Sequence, residues 1–520
     1  MANGHAAFQP KRKSVEDGEV MKLMKDFKGR ASLRVSSSSL SSSLSSSVFG
    51  LLILILSLTP IAAQQAPDRS KAPVPGPAPA LKVPQIQKRT LANGLPVWIV
   101  EMHEVPVVDV MLIVKSGTAA DPTGKYGLAS FTAAMLDEGA GSRDALTLAD
   151  AVDFLGATLS TGSSFDASSV RLHTPVARLD AALPLMADVA LRPTFADTEV
   201  ERLRKERLTN FLQMRDSVSS IASAAFARLV FGPRHRYGTP GMGAEASNRE
   251  MTSGELRQFH AEHYQPQNAY LLVVGDVTAP TILPALEKNF GGWKNSGKIT
   301  KPAVTAAPLH ATRQIYLIDK PGAEQTAIRI GNVGVARLTP DYYALDVTNT
   351  ILGGSFTSRL NTNLREVHGY TYGASSAFDM RGAPGPFVAS ANVQTDKTVE
   401  SLREFFKELD GIHQPVPADE LRRARNYEAL GFPAAFETTS GMAGNLSELV
   451  IYDLPESFFN EYVPKIQAVT AADVARAAKQ YLQSDKFAVI VVGDLTRIEK
   501  PIRDANLGQV RIVTLDEILK

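Results

Sequence analysis

One pattern of apolar and polar positions occurs twice in the chain. Thr252, with Glu255 three residues on, opens an amphipathic segment that runs to Tyr264, and the apolar run that follows closes on Gly275-Asp276. Thr470, with Asp473 three residues on, opens a second such segment to Tyr481, followed by a run that closes on Gly493-Asp494. A threonine with an acid at the third residue beyond it is a helix N-cap pattern, and an apolar run ending in Gly-Asp reads as a buried strand leaving into a turn. Thr252 to Thr470 and Asp276 to Asp494 are both separations of 218 residues. The chain therefore reads as a duplication, with one domain over 85–293, a second over 312–520, and a polar linker with Pro302 and Pro308 over 294–311. In the first domain, Arg89 to Val100 reads as strand, Asn93-Gly94 turn, strand, and Val107 to Lys115 as another β-rich run. Leu128–Leu136, Leu146–Leu155, Arg178–Leu191 and Thr198–Met214 carry helical spacing. The predicted class is α+β: two homologous domains, each a mostly antiparallel sheet with helices over one face.

The first eighty residues follow another logic. Met21 to Arg34 is basic, Ser36 to Ser47 is serine-rich, Val48 to Leu58 is apolar, and small residues lead to Ala63. That order predicts a secretory signal region over 1–63 and a periplasmic or secreted protein, with an uncleaved membrane-anchored form as the alternative. A Pro/Ala-rich tether over 64–84 follows.

Composition narrows the chemistry. The 520 residues include 55 Lys+Arg against 54 Asp+Glu, a formal charge of +1, and no basic stripe, which excludes a nucleic-acid partner. With no cysteine, disulfides, thiolate metal sites and cysteine nucleophiles are excluded.

Several motifs in order resemble one family. Leu91-Ala-Asn-Gly-Leu, Gly127-Leu-Ala, His235-Arg-Tyr-Gly-Thr-Pro, Tyr264-Gln-Pro-Gln-Asn-Ala, Val273-Val-Gly-Asp and Phe290-Gly-Gly-Trp are similar to the pitrilysin-type metallopeptidases. In size and two-domain layout the chain is closest to the processing-peptidase group. Arg236 stands where that family usually has proline. The resemblance implies two homologous domains that enclose a substrate chamber with a partner subunit.

It also implies a zinc motif, H-x-x-E-H, on the helix after Gly127-Leu-Ala, in which histidines four apart share a helix face and the glutamate activates water. Here Ser130 and Ala134 stand for the histidines and Ala133 for the glutamate. By the same resemblance Glu206 matches an earlier acid, and Gln213, seven residues on, stands at the third ligand position. The expectation is a degenerate site with no metal and no cofactor in this chain. His260 and His263 sit three apart at a helix end, where packing roles suffice, as they do for the isolated His103, His173, His310, His368 and His413.

In the second domain, Leu352-Gly353-Gly354-Ser355 precedes Arg365 and Tyr372, seven residues apart. The resemblance implies that Arg365 and Tyr372 face a partner's zinc across the chamber, with Gly353, Gly354 and Ser355 binding substrate. A tyrosine hydroxyl can donate to an oxyanion, and a guanidinium can hold a carbonyl. This predicts the non-metal subunit of an exported heterodimeric zinc endopeptidase acting on unstructured peptides, with zinc in the homologous partner. A catalytically inert scaffold of the same fold and a stand-alone peptide-binding protein remain open.

Overall fold

The structure, a computed structural model, describes residues 76, 83–300 and 303–519. The predicted signal region and most of the tether lie outside the described residues. The first domain contains β1 (Gln87–Thr90), β2 (Pro96–Glu101), β3 (Val107–Val114), the short pair β4 (Gly139–Ala140) and β5 (Arg143–Asp144), then β6 (Thr158–Ser163), β7 (Ser168–Pro175) and β8 (Ala269–Gly275). The second contains β9 (Gln314–Asp319), β10 (Gln325–Val333), β11 (Thr371–Phe378), β12 (Pro386–Gln394), β13 (Ala488–Gly493) and β14 (Gln509–Ile512).

Each domain builds a six-stranded sheet, in the orders β1-β2-β8-β3-β7-β6 and β11-β12-β10-β13-β9-β14. The last buried strand of each repeat, β8 or β13, slots into the middle of its sheet. In the first sheet only β2 and β8 pair parallel. In the second, β9 is parallel to both β13 and β14, so the C-terminal strand fills the edge that the hairpin strand β1 fills in the first. Pro96 and Gln314, Val107 and Gln325, and Ser168 and Pro386 begin equivalent strands 218 residues apart.

Local chemistry fixes the ends of these elements. Thr252 accepts from the Glu255 amide at 3.2 Å while Glu255 accepts from the Thr252 amide at 2.8 Å. Thr470 and Asp473 repeat that capping box at 3.2 and 2.9 Å. The β1–β2 turn needs Gly94 at φ +86, which glycine adopts without a Cβ clash.

The sheets are covered on both faces, not one. Val108, Val110 and Leu112 of β3 pack with the helices of their own domain. Met111 and Ile113, alternating with them, join Leu446 and Leu449 on helix Thr439–Ile451 of the second domain. The equivalent helix of the first domain, Val218–Phe231, packs in return on β10 and β13 of the second sheet, where Ile221 and Phe226 join Ile490 and Val492. Each domain thus contributes one helix to the other's sheet. Sheets buried on both faces need continuous apolar strands, which explains why every residue of β13 is buried. Asp109 breaks the apolar run of β3 at this crossing. It is fully buried and accepts from Thr439 at 2.7 Å and Ser440 at 3.0 Å, both at the start of the exchanged helix.

Candidate functional site

Helix Leu128–Ala134 carries the segment expected to hold a metal motif. Its N-terminus is fixed by Asp121, whose carboxylate accepts from the Gly127 amide at 2.7 Å and the Ala129 amide at 2.7 Å. A negative side chain at a helix N-terminus complements the macrodipole. Gly127 has φ +102, and a Cβ there would lie 2.3 Å from the Met242 carbonyl oxygen, so no larger residue fits. Arg236 pairs with Asp121 at 3.1 Å and donates to the carbonyls of Thr118 and Thr239. Arg236 therefore holds the capping carboxylate in place. Burial pushes the Asp121 carboxyl up to about 6, against the pull of Arg236.

Ser130, Ala133 and Ala134 lie on this helix as expected, Ala133 fully buried in the core and Ala134 partly buried. Ser130 donates to the Gly127 carbonyl at 3.0 Å and accepts from Arg207 at 3.0 Å. Gln213 does not join them. It is exposed on helix Asp197–Met214, and so is Glu206, two turns earlier on the same stripe. The buried stripe of that helix is Val200, Leu203, Arg207 and Phe211. Arg207, at 9% exposure, is the residue that reaches the motif helix. Its Nε donates to Asn248 Oδ1 at 2.6 Å, and its Nη2 also donates to the Met242 carbonyl at 2.9 Å. Its guanidinium lies 4.7 Å from the centre of the Phe131 ring. Burial lowers its pKa to about 10, so it stays charged at neutral pH.

These residues do not fit a zinc ion. Two of the motif positions offer no donor atom, the third is a hydroxyl already engaged, and the group facing it is a cation, whereas zinc sites use imidazole, thiolate and carboxylate. Among the described residues no group of three His, Asp or Glu side chains could hold a metal. Sequence reading passed over Arg207, although a charge at helical spacing within an apolar stripe is the signal that marks it.

Among the described residues the histidines are spoken for. His260 contacts the Ala190 carbonyl at 2.9 Å and stacks on Tyr264, while His263 meets Ser116 Oγ at 3.0 Å, and burial lowers both rings' pKa values. His173 is not isolated: its Nδ1 lies 2.9 Å from Asp109. His103 bridges Glu101 and Asp276.

In the second domain the equivalent helix, Tyr342–Asn349, widens into a π-helical turn over Thr350–Gly354. A Cβ at Gly353 would lie 2.3 Å from the Ser376 amide of β11, so the glycine lets the turn lie against that strand. Ser355 donates to the Thr350 carbonyl at 3.1 Å. Asn361 donates to the Phe356 carbonyl at 2.6 Å and accepts from the Ala374 amide at 3.2 Å, tying this loop to β11. A second π-helical turn, Thr362–Val367, carries Arg365 and packs on β11. Arg365 pairs with its neighbour Glu366 at 3.2 Å and lies 4.6 Å from the ring centre of Phe356, which is itself exposed. Tyr372 sits where the register of the edge strand β11 shifts, and is 89% exposed. The structure thus places Gly353, Arg365 and Tyr372 on packed neighbouring elements, with Tyr372 exposed and Arg365 half-buried against Phe356.

Comparison with known proteins agrees with this architecture. Residues 97–228 match the family described as Insulinase (Peptidase family M16), and residues 250–427 match Peptidase M16 inactive domain. A Mycobacterium tuberculosis protein named an uncharacterized zinc protease is 25% identical over 409 residues, covering 78% of this chain and 93% of that protein. The crystal structure of a peptidase M16 inactive domain from Pseudomonas fluorescens superposes with a TM-score of 0.72 at 27% identity, covering 79% of this chain and 98% of that one. The periplasmic protease PqqL of Escherichia coli shares the fold at 15% identity and a TM-score of 0.65, over 84% of this chain and 52% of its own. With two M16 matches within one compact unit and an M16 inactive domain among its similar structures, the chain belongs to peptidase family M16.

Proposed function

We propose that this chain is the non-metal subunit of an exported heterodimeric zinc endopeptidase. It helps enclose unstructured peptides and supplies Arg365 and Tyr372 to an active site completed by a homologous zinc-binding partner. The observation that carries the reading is the contrast between the two sites. The metal helix has lost its ligands, yet Tyr372 stands out from a bulged edge strand and, among the described residues, its hydroxyl makes no hydrogen bond. A free phenol there can donate to the oxyanion of a tetrahedral intermediate, and the nearby Arg365 can hold a substrate carbonyl. Gly353, Gly354 and Ser355 shape the loop beside them. Export is supported by the basic-then-apolar leader, and among the described residues no helix is long and apolar enough to cross a membrane.

The test is reconstitution with the zinc-bearing homologue of the same genome, one with an intact H-x-x-E-H, on an unstructured fluorogenic peptide. The pair should be far more active than either chain. Tyr372→Phe should leave assembly intact by size-exclusion chromatography while lowering kcat on the order of a hundredfold to a thousandfold. Arg365→Ala should raise KM as well as lower kcat. A Tyr372→Phe pair that cleaves at the wild-type rate would refute the reading and leave the inert scaffold in its place.

A further inference from the structure

The loop beside Arg365 is held at both ends by one helix, Ala418–Gly431. At its start, Thr350 Oγ1 donates to Glu428 Oε1 at 2.5 Å. At its end, Arg359 donates to both Glu420 oxygens, at 2.8 and 2.7 Å. Residues 350–359, with Gly353, Gly354, Ser355 and Phe356 among them, are slung between these attachments. The Glu420 end is an ion pair. The Glu428 end has a second acid behind it. Tyr462, buried on helix Phe458–Ala468, places its hydroxyl 2.6 Å from Asp346 Oδ2 and 3.3 Å from Glu428 Oε2. Asp346 lies on helix Tyr342–Asn349, which runs directly into the turn that Thr350 opens.

That hydroxyl has one proton for two carboxyls. Burial raises the Tyr462 pKa, so the phenol keeps it. With both acids ionised, one carboxylate takes the proton and the other is left facing the lone pairs of the phenol. With one proton added, the chain closes: Asp346 donates to Tyr462, Tyr462 donates to Glu428, and Glu428 accepts from Thr350 on its other oxygen. Neighbouring cations do not stand in for that proton. Arg337 pairs with Glu448 at 3.2 Å beside Tyr342, and Arg476 pairs with Asp341 at 2.7 Å, where Tyr481 also donates. Lys465 pairs with Glu461 at 2.6 Å over Tyr343, and Arg425 donates to the carbonyls of Gln467 and Val469. Burial, reinforced by Glu428, pushes the Asp346 carboxyl up to about 7, so the proton is held below neutral pH and leaves above it.

We infer that one proton, completing the chain Asp346–Tyr462–Glu428–Thr350, latches the start of the loop to helix Ala418–Gly431. In acid the latch is closed. Above neutral pH two like charges face one hydroxyl, and the Thr350 end comes loose while the Arg359 end stays paired. The release reaches the candidate site, because the ring centre of Phe356 in this loop lies 4.6 Å from the Arg365 guanidinium. The latch belongs to the second domain, and only its effect on cleavage rests on the reading of Arg365 and Tyr372 proposed above.

The experiment is amide hydrogen exchange on the purified chain at about pH 5.5 and about pH 8.5, on either side of the Asp346 value, with rates divided by the intrinsic ones. Peptides covering 350–358 should lose about fivefold to tenfold in protection at the higher pH, as expected for one hydrogen bond. Asp346→Asn and Glu428→Gln each supply an amide donor where the proton sat, so both should stay protected at both pH values. Tyr462→Phe, which removes the middle of the chain, should exchange fast at both. Equal wild-type protection at the two pH values, or an Asp346→Asn protein that loosens with pH as wild type does, overturns the latch. In the reconstituted pair, wild-type kcat/KM should fall on the same alkaline limb, and Asp346→Asn should remove that limb. Active pairs that share one pH profile overturn the link to the site. Pairs with no activity at all count against the proposed function, and the exchange rates then decide the latch by themselves.

Discussion

Asp109 offers the sharpest test of how the two domains are joined. It is fully buried on β3 and accepts from groups of both domains. From the first come His173 Nδ1 at 2.9 Å and the Arg171 guanidinium, in ion-pair range at 3.3 Å. From the second come Thr439 Oγ1 at 2.7 Å and Ser440 Oγ at 3.0 Å. Arg171 also donates to the Ser440 carbonyl at 2.7 Å, so the carboxylate sits in a cluster that pins the start of the exchanged helix. Asp109→Ala removes the acceptor and leaves both hydroxyls and the guanidinium facing a gap. Losing one partner of a buried pair costs about 3–5 kcal/mol, and an orphaned hydroxyl about 1–3 kcal/mol. Arg171 and His173 are 31% and 41% exposed, so water compensates them in part, and about 3 kcal/mol is the expected loss. Asp109→Asn keeps one acceptor oxygen and should lose about half of that. The assay is urea unfolding followed by two probes. Both tryptophans, Trp98 and Trp293, lie in the first domain, while far-UV circular dichroism reports both. In wild type the two curves should coincide, and in Asp109→Ala they should separate as the domains uncouple. Ser219→Ala, which removes the reciprocal contact between helix Val218–Phe231 and Asn392, is a milder control at about 1 kcal/mol. Coincident curves with a loss under about 1 kcal/mol would show that apolar packing alone holds the domains together.

Two further outcomes are expected. Burial, reinforced by Glu428, pushes the Asp346 carboxyl up to about 7 from an ordinary 3.8, so the folded protein keeps a proton that the unfolded chain releases. That stabilisation is complete below 3.8 and is lost as pH rises through about 7. The unfolding free energy should therefore fall between about pH 4 and 7, with a slope approaching ~1.4 kcal/mol per pH unit from this group midway through that range. Asp346→Asn should flatten the profile, and an unchanged slope in that variant would sink the assignment. Mass spectrometry of the natively exported protein should find its N-terminus near Gln64, whereas a mature chain that retains residues before Val48 would favour the anchored form.

The sequence by itself determined the elements and their repetition. Thr252 and Thr470 announce their helices because a capping box is closed within four residues, and the strand runs ending at Gly275 and Gly493 are legible because burial demands unbroken apolar stretches. The want of metal-binding side chains at the motif positions is legible too: the resemblance names Ser130, Ala133 and Ala134, and they lie on one helix, where spacing says which positions share a face. Partnership between helices was not legible. Glu206 and Gln213 are correctly spaced for each other, two turns apart, but their stripe faces solvent. Arg207, one residue from Glu206, is turned about 100° around the helix and faces Ser130. Nor does any run of residues say that the helices Val218–Phe231 and Thr439–Ile451 pack on each other's sheets, because an apolar face has no address. Only the tertiary structure decided these matters. Periodicity reports which side of an element avoids water, while the choice of what covers that side, and which buried charge meets which acceptor, depends on groups far apart in the chain that the fold alone brings within reach.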